Sequence, residues 1–117
     1  MALSVTSRVE DGFGVLDIVG ALTLGPALNS LRDGARQLLS SPKLCGVILR
    51  VAEVTATDSS GLGELTVIYT LATRRGCPIR LVGVTPSLHK MLELTRLDVL
   101  LPTAADIASA KAEMGSK

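Results

Sequence analysis

Chemistry-bearing side chains concentrate in one stretch, Thr55-Ala56-Thr57-Asp58-Ser59-Ser60-Gly61-Leu62-Gly63-Glu64. It lies between an apolar run and a helical pattern, so the spacing predicts a loop leading into a helix start. Asp58 or Ser59 would cap that helix by accepting from first-turn amides, with Glu64 near the positive end of the dipole. Capping accounts for a single Asp or Ser. It leaves Asp-Ser-Ser followed by Gly61 and Gly63 unexplained, because each glycine inside a helix costs about 1 kcal/mol relative to alanine. A glycine pair there predicts that something approaches the backbone closely.

Three chemistries are open to this stretch. A nucleophilic serine needs a base, usually histidine. His89 is the single histidine, placed after the next strand, and there is no G-x-S-x-G elbow. A phosphate-binding loop fits no better: Asp58 puts negative charge where the anion would sit, and no P-loop lysine follows. A serine that receives a phosphate fits best, because the amides and dipole of a helix start tolerate a dianion. One histidine leaves no zinc ligand set, and no cofactor is expected. Cys45 and Cys77 stand outside any CxxC spacing and read as reduced thiols of a cytoplasmic protein.

The elements that must position this stretch follow from periodicity. Leu3 to Val9 alternates as a half-buried strand, and Asp11-Gly12 is a hairpin turn signal. Val15 to Val19 predicts a second strand ended by Gly20. From Pro26 the period becomes helical, with Leu28, Leu31, Ala35, Leu38 and Leu39 on one face and Ser40-Ser41-Pro42 as the stop. Gly46 to Val51 reads as a strand buried on both faces, followed by a polar connection from Glu53 to Asp58. A helix is expected from about Ser60 to Arg75, closed by Gly76. Pro78 to Val84 is a further strand, and Thr85-Pro86 starts a short helix with Leu88, Met91 and Leu92 inward. Leu100-Leu101 is expected as a minor strand, and Pro102 to Asp106 as the opening of a last helix capped by Thr103. Alternating buried strands and amphipathic helices predict an α/β domain with a mixed, mostly parallel sheet of four or five strands and about four helices.

Composition narrows the function classes. The 117 residues suit one domain, and 47% hydrophobic content with 20% charged excludes disorder. Aromatics are 2%, Phe13 and Tyr69 with no Trp, so stacked sugars or splayed nucleobases have almost nothing to bind. Net charge is +1 with no basic run in the sequence, which gives nucleic acid binding little support. No window reaches a membrane span, and Met1 to Arg8 lacks the pattern of a secretory signal.

The same residues make the chain resemble the STAS family, most closely the single-domain bacterial anti-sigma factor antagonists. The resemblance rests on Asp58-Ser59-Ser60-Gly61-Leu62-Gly63 after the strand Val47 to Val51. It is joined by Val19-Gly20-Ala21-Leu22-Thr23 at the first crossover and by Leu81-Val82-Gly83-Val84-Thr85-Pro86-Ser87-Leu88. It covers about Ser4 to Ala110 of a single STAS domain spanning residues 1–117. It implies a non-enzymatic antagonist that binds an anti-sigma factor of the histidine-kinase-like ATPase type and frees its sigma factor. The serine directly after the Asp, here Ser59, would be phosphorylated by that kinase to end binding, and a PP2C-type phosphatase would restore it. Thr23, Asp58, Ser60, Gly61, Leu62 and Gly63 are the partner-binding positions so implied. Val67 joins them because its helix carries more apolar surface than one buried face needs. The chain departs from the family pattern at Ala56-Thr57, where bulky apolar residues often precede the Asp. Thr23 stands where many kinase-regulated members carry Asp, and Glu64 where the residue is frequently apolar or small. A scaffold or adaptor STAS module, self-associating as a homodimer or not, and a small-ligand or nucleotide sensor are the alternatives.

Overall fold

A two-residue turn starts the fold. Strand β1 (Ser4–Glu10) and strand β2 (Phe13–Leu22) pair antiparallel, with Glu10 opposite Phe13. Asp11 and Gly12 between them both take positive φ, 53° and 83°, the geometry that matches the twist of a tight hairpin. The computed structural model describes residues 3–41 and 43–115, so Pro42 of the expected helix stop lies outside them.

The chain then follows the expected alternation. Helix α1 (Leu28–Leu39) leads to strand β3 (Gly46–Thr57), helix α2 (Ser59–Arg74) and strand β4 (Ile79–Val82). Helix α3 (Pro86–Leu94), strand β5 (Thr103–Ala104) and helix α4 (Ile107–Met114) complete it. The five-stranded sheet runs β1-β2-β3-β4-β5, antiparallel at β1–β2 and parallel elsewhere. The five inward residues expected for α1 are all buried. Together with Leu16, Leu49, Leu65, Ile68 and Leu81 they build the main core on the α1–α2 face. Phe13, Val15, Ile48, Val82 and Ala110 form a second, smaller core under α4 on the opposite face.

Several features differ from expectation. Gly20 does not end β2; at φ 103° it sits at a register irregularity with β3, and the strand continues to Leu22. Strand β3 runs six residues past Val51, to Thr57, so the expected polar connection is strand. Its second half pairs with β2 alone, because β4 ends opposite Arg50. One-sided pairing leaves Thr55 and Ala56 exposed and only Val54 buried, which gave the sequence a loop-like polarity. The minor strand is Thr103–Ala104, paired to Leu81 and Val82, and Leu101 is a buried core residue in the preceding turn. Asp106, not Thr103, caps α4, accepting from the Ser109 amide at 2.8 Å. Helix α1 starts at Leu28, after a turn in which the Leu28 amide donates to the Gly25 carbonyl.

Candidate functional site

The carboxyl ends of β2 and β3 lie side by side, with Leu22 opposite Thr57. The segments leaving them, Thr23 to Ala27 toward α1 and Asp58 into α2, therefore share one end of the sheet, where open α/β folds build their sites. Asp58 ties the two together. Its Oδ1 accepts from the Gly61 amide at 2.9 Å, capping α2, and its Oδ2 accepts from the Leu24 amide at 3.0 Å. Its own amide donates to the Leu22 carbonyl at 3.3 Å. The Leu24 and Gly61 amides, which favour the ionised form, hold the Asp58 carboxyl below its ordinary range.

The two glycines do different things. A Cβ on Gly61 would stand 2.0 Å from the Leu22 carbonyl oxygen, so the body that approaches its backbone is the chain's own β2. Around Gly63 nothing lies within 4 Å of such an atom, and the helix surface there is bare. The expected close approach thus divides into an internal contact at Gly61 and an open patch at Gly63.

Beside that patch runs an open groove of about 520 Å³ between the first turns of α1 and α2. Ser60, Gly63, Glu64 and Val67 line it from α2, at the i, i+3, i+4, i+7 spacing of one helix face. Leu24, Leu28, Asn29 and Arg32 line it from the other side. Glu64 is held there by Arg32, Nε to Oε2 at 3.1 Å and Nη2 to Oε1 at 2.5 Å. This bidentate pair gives a place to the carboxylate that looked anomalous in the sequence.

The sequence-derived positions fall into three groups. Ser59 is exposed as the first residue of α2. Ser60, Gly63 and Val67 share the groove wall, with Thr23 half-buried at the end of β2. Gly61 and Leu62 are buried, Leu62 at 3% exposure, and Asp58 has both carboxylate oxygens engaged within the chain. Leu24, 78% exposed, and Arg32 were not singled out from the sequence. The usable signal for Leu24 was an apolar residue outside both the strand and the helix pattern. For Arg32 there was none, because its partner Glu64 lies 32 positions away. His89 stands on α3 with its Nε2 3.5 Å from Glu93, and it neither lines the groove nor bonds to Asp58. Cys45 and Cys77 are free thiols, and burial pushes Cys77 upward in pKa. No helix among the described residues is long and apolar enough to cross a membrane.

Solved structures share this architecture. One is an antagonist assigned provisionally to anti-sigma factor regulation, from Thermotoga maritima, at 21% identity and TM-score 0.83, covering 94% of this chain and 93% of that one. The anti-sigma factor antagonist SpoIIAA of Bacillus, in its phosphorylated form, matches at 16% identity and TM-score 0.70, covering 96% and 99%. A sulfate transporter family protein from Wolinella succinogenes matches at 21% identity and TM-score 0.73, covering 92% and 88%. At such identities the likeness is one of fold. Among curated proteins none matches. The STAS domain family matches residues 4–110, a span that takes in every strand and the Asp58–Gly63 junction, and the chain belongs to that family.

Proposed function

We propose that this chain is an anti-sigma factor antagonist that binds an anti-sigma factor of the histidine-kinase-like ATPase type and is switched off by phosphorylation at Ser59. The carrying observation is the geometry of one junction. Ser59 is exposed at the first position of α2, directly after Asp58, whose carboxylate is consumed in clamping the Leu24 segment to the helix start. The hydroxyl is thus presented on a fixed backbone beside an open groove. Thr23, Ser60, Gly63 and Val67 supply contact surface, while Asp58, Gly61 and Leu62 act by positioning the junction. A PP2C-type phosphatase reverses the modification, and the setting is cytoplasmic.

The magnitudes suit a switch of this kind. Phosphate adds about −1.5 to −2 of charge. Weakening a complex a thousandfold takes about 4 kcal/mol, more than the 0.3–1 kcal/mol typical of a helix dipole. An unpaired dianion trapped at an interface exceeds that, because buried unpaired charge is costly. The domain therefore acts as a binding module and need not refold.

A scaffold or adaptor role is the second reading, favoured by the shared fold of a sulfate transporter family protein. Incubation with the cognate kinase and ATP should add one phosphate, lost in Ser59→Ala and mapped by mass spectrometry. Phosphate elsewhere, or none, favours the scaffold, and sedimentation of the free chain then reports self-association. A tight nucleotide complex of the isolated chain favours a ligand sensor.

A further inference from the structure

The net charge of the chain is +1, yet the α1–α2 layer is not neutral. It carries Arg32 and Arg36 on α1 and Arg74 and Arg75 at the end of α2, against Asp33 and Glu64 as the acids of those two helices. The sequence hides this, because the arginines are dispersed along the chain and share one layer only when α1 and α2 pack. Glu64 is already taken by Arg32 and its side chain is only 12% exposed. Arg32, 36% exposed, spends Nε and Nη2 on Glu64 and keeps the Nη1 edge free of bonds to the other described residues. Arg36 and Arg74 are exposed and form no ion pair among the described residues. Asn29, Arg32 and Arg36 follow the i, i+3, i+7 spacing of one face of α1. Leu24, Leu28 and Val67 supply an aliphatic floor to the adjoining groove.

We propose that this layer is a docking surface for an acidic, amphipathic segment of the kinase-type partner, its aliphatic side chains on the groove floor and its carboxylates toward Arg32, Arg36 and Arg74. The proposal rests on the reading of Ser59 given above and adds the chemistry of the partner. Charge complementarity selects an acidic surface. Contiguity selects the occupant: Ser60 lines the groove and Ser59 precedes it. A protein whose active site reaches Ser59 and buries the roughly 800 Å² per side of an ordinary interface covers the groove mouth. The aliphatic floor suits a protein segment better than a phosphate backbone or a lipid surface.

The test uses the full chain, ATP and extract of its own cells, with the initial rate of phosphate addition at Ser59 followed by intact mass. Arg36→Glu combined with Arg74→Glu leaves the Arg32–Glu64 pair intact. It should slow the reaction about tenfold or more at low salt, with the folded circular dichroism spectrum retained, while added salt slows the original chain but not the variant. Equal rates for the two at low salt overturn the docking surface and leave the Ser59 reading standing. No phosphate at Ser59 of the unaltered chain overturns both. A photoreactive group at Asn29 should cross-link to an ATPase peptide rich in Asp and Glu. A cross-linked peptide lacking acidic residues, or nucleic acid or lipid in its place, overturns the proposal.

Discussion

Asp58 holds two segments with one side chain, and that division of labour makes the junction sensitive to pH. Both carboxylate oxygens accept from backbone amides, which favours the ionised carboxylate and depresses its pKa in the folded state. The stabilisation is complete above the unfolded value, about 3.9, and is lost as pH falls through the lower, folded one. Asp58→Asn should therefore lower the urea midpoint at pH 6, and the gap to the original chain should close below about pH 4. A gap that stays constant with pH would mean that the charge is irrelevant to the clamp. The neighbouring glycines make opposite predictions. Gly61→Ala forces a methyl group against the Leu22 carbonyl and should destabilise by about 1–3 kcal/mol. Gly63→Ala meets open space on an exposed helix and should stabilise by roughly 0.5–1 kcal/mol. Denaturant unfolding reads both. A Gly63→Ala chain that is more stable yet binds its partner less well would place bare backbone in the contact.

Among the elements, α1 and α2 are joined by the Arg32–Glu64 pair and by Arg75, whose Nη1 donates to the Leu39 carbonyl at 2.6 Å. Each end of the two-helix layer is thus pinned, and the groove between them has fixed walls. Helix α4 has a simpler task. Its eight residues cover the far face of the sheet over Phe13, which is 0% exposed. With so few aromatics, Phe13 is the largest piece of that second core. Phe13→Ala should cost about 3–5 kcal/mol in calorimetry or denaturant titration, a large share of a typical 5–15 kcal/mol total. A loss under about 1 kcal/mol would mean that α4 collapses into the vacated space.

For the whole molecule, the sheet is a frame that brings two strand ends together and leaves Ser59, the proposed switch, on its rim. Ser59→Asp should weaken partner capture while the melting temperature and circular dichroism stay unchanged, since exposed substitutions rarely move stability beyond about 0.5 kcal/mol. A large stability change would point to a switch that refolds the domain. The scarcity of aromatics fits the proposed switch: with no Trp, the proposed recognition would rest on aliphatic and polar contacts that one phosphate could cancel. The order of elements, the buried face of α1 and the Asp58–Gly63 junction were legible in the sequence, because periodicity, caps and local turn chemistry are set by neighbouring residues. The second half of β3, the bulge at Gly20 and the two-residue β5 were not, because their pairing depends on strands distant in the chain. The same reason hides the separate duties of Gly61 and Gly63, the pairing of Glu64 with Arg32, and the gathering of four arginines on one helical layer. Local chemistry determined where a serine stands ready at a helix start. Only packing decided what approaches it, since an approach is a distance between residues that the chain order keeps apart.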